Sequence, residues 1–307
     1  MASKRISPGP GPAGPAPEEP PAIAGVRRSR VEARGVDFHV TEAGPADGIP
    51  VLALHGWPQH HYEFRDLLAD PPEGMRIIAP DLPGYGWSGP PPHRWQKEQV
   101  TSDVLALLDQ LGVQRAVLVG HDWGGWIGHL LALRAPERFS AFLALNIIHP
   151  WNRPAALRPH LWRFYYQPVI AFFGERLQRD TELAYRAFRG SLFDSSRVSR
   201  EDARWFSERA RDPVCARAGR DTYRTFLLHE IPASVRQGER RRSSVPTRVV
   251  FGAADVALHW SLASASTARA DDYRLELIPD CGHFIVDELP GVVRERLIAV
   301  VREFPVG

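Results

Sequence analysis

Cysteine is nearly missing from this chain. Cys215 and Cys281 are the only two in 307 residues and lie far apart. That count excludes a disulfide framework and thiolate-rich metal spacing. Free thiols are expected, a bridge between the two being the other arrangement a pair allows. A charge excess is also missing: 38 basic residues stand against 36 acidic ones, net +2. Nothing in that balance points to nucleic acid or to an anionic membrane surface. No apolar run reaches the ~18 residues of a membrane span. Lys4 and Arg5 precede no apolar stretch of the kind a secretory signal needs. The expectation is a cytoplasmic protein, monomer or homodimer, with neither nucleic acid nor membrane as partner.

Apolar residues are plentiful, at 44%, enough for a large core. Residues 1–24 stand apart, being dominated by Pro, Gly and Ala, and are predicted to be disordered or loosely extended. Residues 26–42 alternate as a hairpin, with Val31, Phe38 and Val40 inward and Arg34-Gly35 at the turn. Val51–Leu54, Met75–Ala79, Ala116–Val119, Phe139–Leu145, Thr247–Phe251 and Tyr273–Ile278 read as short buried strands. Helical spacing runs over Trp95–Leu111, with Gly112 as its stop, and over Pro290–Phe304. Strands and helices alternate, which predicts an open, mostly parallel sheet. The pattern breaks at 147–244, a stretch rich in Arg and aromatics with no clear strand. Helical pieces are expected there at Leu177–Leu192 and Glu201–Arg211, and Arg240-Arg241-Arg242 reads as a solvated connection.

Four motifs carry chemistry. His55-Gly56-Trp57-Pro58 directly follows the buried strand Val51–Leu54, where Gly56 allows a turn that points the Trp57 N–H at the site. Asp81-Leu82-Pro83-Gly84-Tyr85-Gly86-Trp87-Ser88 is a structured loop without the Lys of a phosphate cradle. Gly120-His121-Asp122-Trp123-Gly124 lies between strand and helix, the context of a nucleophile elbow with Asp122 at its apex. Asp255 and His283 each sit just past a strand end, where such sheets present their functional groups. Asp122, Asp255 and His283 follow one another in that order along the chain, the order that the resemblance given next assigns to nucleophile, acid and base.

Together these motifs resemble the α/β-hydrolase superfamily in its aspartate-nucleophile branch, which holds epoxide hydrolases and haloalkane dehalogenases. The resemblance runs from about residue 26 to the end. It implies an eight-stranded, mostly parallel sheet flanked by helices, with a core of 25–146 and 245–307 and a helical cap at 147–244. It also implies an oxyanion hole from the Trp57 and Trp123 amides. A carboxylate nucleophile displaces a leaving group at sp³ carbon and forms an ester, whereas acyl transfer would give a labile anhydride. His283, oriented by Asp255, would then activate water against that ester. No metal or organic cofactor is implied; the partners are a small apolar organic substrate and water. His55 is expected to be structural, and His60 and His61 to open a helix without chemistry.

The two branch activities differ in leaving group. Epoxide opening needs a proton donor, and similar epoxide hydrolases use two lid tyrosines. Tyr223, in Asp221-Thr222-Tyr223-Arg224, matches the second. The first falls on Trp162, three residues before Tyr165-Tyr166-Gln167. Either Tyr223 acts alone, or Tyr165 or Tyr166 takes the role, or the substrate is not a typical epoxide. A halide needs N–H donors instead, and Trp123 and Trp162 are candidates. Many dehalogenases, however, carry Asn where this chain has Trp57, and fluoroacetate-type enzymes carry Arg where it has Trp123. Epoxide hydrolysis is therefore the favoured reading, with dehalogenation second and a non-catalytic ligand sensor third. His149, Trp151, Trp162, Tyr165, Tyr166 and Phe172 are expected to line an aromatic pocket.

Overall fold

The structure, a computed structural model, describes residues 15–151, 154–233 and 242–306. Eight strands form one sheet: β1 (Arg27–Ala33), β2 (Val36–Ala43), β3 (Ile49–Leu54), β4 (Met75–Pro80), β5 (Ala116–His121), β6 (Phe139–Leu145), β7 (Thr247–Gly252) and β8 (Tyr273–Ile278). Their spatial order is β1-β2-β4-β3-β5-β6-β7-β8. β1 and β2 pair antiparallel, as do β2 and β4; every later pair is parallel. Arg34 and Gly35 close the hairpin with both φ angles positive, the backbone that matches strand twist.

The interior strands β5, β6 and β7 are buried on both faces, whereas the edge strand β8 keeps Arg274 exposed. Alternate residues then feed opposite cores. Leu52 and Leu54 of β3 pack with Val104, Leu107 and Leu108 of α2 (Lys97–Gln110) and with Ile127 and Leu131 of α3 (Asp122–Arg134). Val51 and Ala53 pack with Leu67 and Leu68 of α1 (Arg65–Ala69) and with Val293 and Leu297 of α11 (Pro290–Glu303) on the other face. This two-period division across one strand fixes its register.

Between β6 and β7 the described chain is helical: α4 (Pro154–Leu157), a 3₁₀ turn at Arg158–Tyr165, α5 (Tyr166–Asp180), α6 (Leu183–Gly190), α7 (Arg200–Arg209) and α8 (Pro213–Thr225). The expected helix Leu177–Leu192 is corrected here. It divides at Thr181, whose hydroxyl and backbone N–H both bond the Leu177 carbonyl, and α5 begins earlier, at Tyr166. α7 carries Ser199 as N-cap, its hydroxyl accepting from the Asp202 amide. Two short helices, α9 (Trp260–Ser264) and α10 (Ile285–Glu288), follow β7 and β8.

Of the residues expected in a disordered tail, 1–14 lie outside the described residues. Residues 15–24 are irregular but tied down: the Trp87 indole donates to the Glu18 carbonyl and Arg209 to the Pro17 carbonyl. Of the three-arginine run, Arg240 and Arg241 lie outside the described residues. Arg242 pairs with Asp271 at the surface.

Candidate active site

The elbow is built from glycines that no other residue could replace. Asp122 sits at φ 47°, a strained region for a non-glycine residue. A Cβ on Gly120 would stand 2.8 Å from the Gly124 carbonyl oxygen, and one on Gly124 would strike the Leu54 carbonyl. A Cβ on Gly56 would stand 2.5 Å from the Asp122 Cβ. The strain is thus imposed by three close backbone approaches, and it lifts the Asp122 carboxylate above the end of β5.

The Trp57 N–H donates to Asp122 Oδ2 at 3.0 Å. Trp123 is the second residue of α3, so its N–H has no intrahelical acceptor. Of the two amides expected at the oxyanion hole, the Trp57 N–H is the one in hydrogen-bond contact with the Asp122 carboxylate. His55 holds the loop: its Nδ1–H donates to the Gly56 carbonyl and its Nε2 accepts from the Leu82 amide. Both nitrogens are engaged in the neutral form, and burial lowers its pKa, so its role is structural.

His283 Nε2 lies 3.8 Å from Asp122 Oδ1, and its Nδ1 lies 2.8 Å from Asp255 Oδ2. The three carboxylate and imidazole groups therefore converge. Burial opposes ionisation of Asp255. The charge and hydrogen bond of His283, the Leu258 amide and Asn146 outweigh it and hold the carboxyl below the usual range. Asn146, at φ 43° just past β6, donates to Asp255 Oδ2 at 2.8 Å and to the Gly282 carbonyl. Asn146 belongs to no motif; its one sequence signal is a polar residue directly after a strand that is apolar apart from Ser140.

Tyr223, 2% exposed, stands edge-on to both Trp57 and Trp123 at 5.6 and 5.2 Å between ring centroids. Tyr166 lies beside it at 6.0 Å. Burial first, and then the negative charge of Asp122 among other neighbours, raises both phenols above their ordinary pKa. Both hydroxyls thus keep their protons, with Asp122 near enough for its charge to act on each. Lys97, fully buried under the Trp123 ring at 4.2 Å, donates to the Thr222 carbonyl and steadies the indole beneath α8.

Three of the expected pocket residues lie elsewhere. Trp162, Tyr165 and Phe172 are 67%, 75% and 51% exposed. The reason is the 3₁₀ turn over 158–165: its three-residue period carries 162 and 165 outward together, and the switch to α-helix at Tyr166 turns the next ring inward. His149 is buried, but against His129 and Trp151 alongside α3.

Among the described residues, one group gathers metal-ligand donors: His39, His61 and Asp81. Asp81 accepts Nδ1–H from both rings, at 2.9 Å each, and the amides of His61 and Trp87. Four donors fill its lone pairs, so the group is a hydrogen-bonded clasp between β2, the His61 turn and the loop after β4. A cation would have to displace all of them. His60, expected to start the helix, caps this turn.

The profile of the alpha/beta hydrolase fold family matches residues 49–290. The AB hydrolase superfamily protein YfhM of Bacillus subtilis is 27% identical over 91% of this chain and 99% of its own length. Epoxide hydrolase 4 of Mus musculus is 25% identical over 89% of this chain and 79% of its own length. Among solved structures, epoxide hydrolase CorEH superposes with a TM-score of 0.79 at 23% identity, covering 91% of this chain and 99% of that one. VrEH1 from Vigna radiata gives 0.79 at 24% identity, over 93% of this chain and all of that one.

Proposed function

Because this chain belongs to the alpha/beta hydrolase fold family and is a hydrolase most like the epoxide hydrolases, we propose that it opens a small apolar epoxide to a vicinal diol through an ester on Asp122. The observation that carries this reading is the pair of protonated phenols, Tyr166 and Tyr223, set together in the field of the Asp122 carboxylate. An alkoxide leaving group needs that proton; a halide does not. Trp162, the second N–H donor that dehalogenation would draw on, is at the surface.

In this account Asp122 Oδ1 attacks an epoxide carbon, the ring C–O bond breaks, and a tyrosine O–H protonates the departing oxygen. Oδ2 stays on the Trp57 amide. Water between His283 and Asp122 then gives a proton to His283 Nε2 and attacks the ester carbonyl carbon. Oδ2 takes the negative charge against the Trp57 and Trp123 amides. Collapse expels the diol oxygen, which takes the proton from His283, and ionisation of Asp122 restores the tyrosine. Asp255 holds the imidazole in the tautomer this requires. The helices of 147–244 serve as the cap that brings the tyrosines over the nucleophile, and the 25–146 and 245–307 segments serve as the catalytic core.

Styrene oxide and 1-bromohexane offered in parallel test the reading. Diol formation without bromide release is expected. Tyr166→Phe and Tyr223→Phe should each lower kcat for the epoxide, and the double variant should lose on the order of 10²–10⁴-fold. Bromide release exceeding diol formation, or a double phenylalanine variant as active as the parent, would overturn it.

A further inference from the structure

Behind the triad lies a second buried pair. Glu63 and His121 are both 0% exposed. Glu63 Oε1 stands 3.0 Å from His121 Nδ1. The approach is off the line of a hydrogen bond, so it is an ion pair held by charge. Each partner then reaches a different part of the site. Glu63 Oε2 accepts from the Gly56 N–H, one residue before the Trp57 amide that holds Asp122 Oδ2. His121 precedes Asp122, and its Nε2–H donates to the backbone carbonyl of His283 at 2.8 Å. The two rings lie 5.1 Å apart.

We infer that Glu63 and His121 are positioning residues for hydrolysis of the ester, locking the Trp57 amide and the His283 base to the nucleophile through one buried ion pair. The inference rests on the covalent reading above. Ring opening uses Asp122 and the tyrosines. Ester hydrolysis uses the Trp57 amide and His283, the two groups this pair ties down. Loss of the pair should therefore slow the second half-reaction selectively.

Charge supports the geometry. Burial alone would lower the pKa of His121, but Glu63 pushes it up to about 9, with Asp122 adding to the pull. A protonated His121 carries the charge that the Glu63 contact needs and keeps its Nε2–H for the His283 carbonyl. The charged and titratable groups facing the pair are Asp122, His283, His55 and Asp287. The last is buried, paired with Arg65, and raised to about 6, first by burial, with the Glu63 charge also raising it.

Glu63→Gln keeps the side-chain size and an oxygen for the Gly56 amide but removes the charge. With styrene oxide as probe, intact-protein mass spectrometry during turnover should show the ester accumulating in E63Q and not in the parent. Its hydrolysis rate should fall on the order of 10²-fold, while the rate of ester formation stays within about threefold. The alkaline limb of the hydrolysis rate, expected near pH 9 in the parent, should move to lower pH. The double variant Glu63→Gln with His121→Asn leaves no unpaired charge and should behave alike, which keeps the test open if E63Q does not fold. Unchanged hydrolysis in a folded variant would overturn the inference. So would equal loss of both half-reactions with an unmoved alkaline limb, the mark of a general structural defect. If the parent itself forms neither ester nor diol, the covalent reading has failed and the inference falls with it.

Discussion

Asp122, Asp255 and His283 were legible as single letters because each is fixed by its neighbours: glycines that leave no room for a Cβ, or the end of a short apolar strand. The residues around them were not. Asn146, Glu63 and Gln178 have no motif, and their partners are 109, 58 and 121 positions away in sequence. Histidines show the same limit. His129, on the buried side of α3 against Phe142 and His149, is held neutral by burial alone, its pKa lowered to about 3. Its folded pKa lies below the ordinary 6.5, so the folded chain binds fewer protons than the unfolded one. The stability this group permits is full above pH 6.5 and is lost as pH falls toward 3. The loss should be about 1.4 kcal/mol per pH unit. Urea unfolding at pH 7 and pH 5 should show a slope in His129→Leu shallower by that amount; an equal slope would mean the site takes up a proton without penalty.

At the scale of elements, strands were the easier reading. Apolar runs of four to seven residues bounded by turns have few alternatives, and the hairpin turn at Arg34-Gly35 followed from one glycine. The helices after β6 were harder, since their boundaries come from tertiary contacts and not from spacing. The turn from 3₁₀ to α at Tyr166 decides which aromatic ring faces the nucleophile, and no local signal marks it. The same helices are fastened by Gln178 of α5. Its Oε1 accepts from the Trp57 indole at 2.8 Å, and its Nε2 donates to the Gly174 and Ala216 carbonyls. One buried amide thus joins α5, α8 and the oxyanion loop. Gln178→Leu leaves the buried Trp57 indole N–H unpaired and removes the tie to the Ala216 carbonyl. Unfolding free energy measured by urea titration should drop by about 2–4 kcal/mol. A drop under about 0.5 kcal/mol would show that the tether does not fasten the insertion to the loop.

For the whole molecule, the sheet supplies rigidity and the loops at its carboxyl edge supply chemistry. Asp122, Asn146, Asp255 and His283 follow β5, β6, β7 and β8 in turn, so four adjacent parallel strands deliver four functional groups to one place. The sequence order Asp122, Asp255, His283 is the order of strands across that edge, which is why these candidate residues are legible from the chain alone. The tyrosines come from outside the sheet, on α5 and α8, and only the packed structure brings them together. The proposed reaction passes through a covalent ester on Asp122. His283→Gln removes the base and leaves the nucleophile intact. After exposure of this variant to styrene oxide, intact-mass and peptide analysis should find one adduct, equal to the whole mass of the epoxide, on Asp122. A folded variant that gains no mass, or an adduct on another residue, would contradict it.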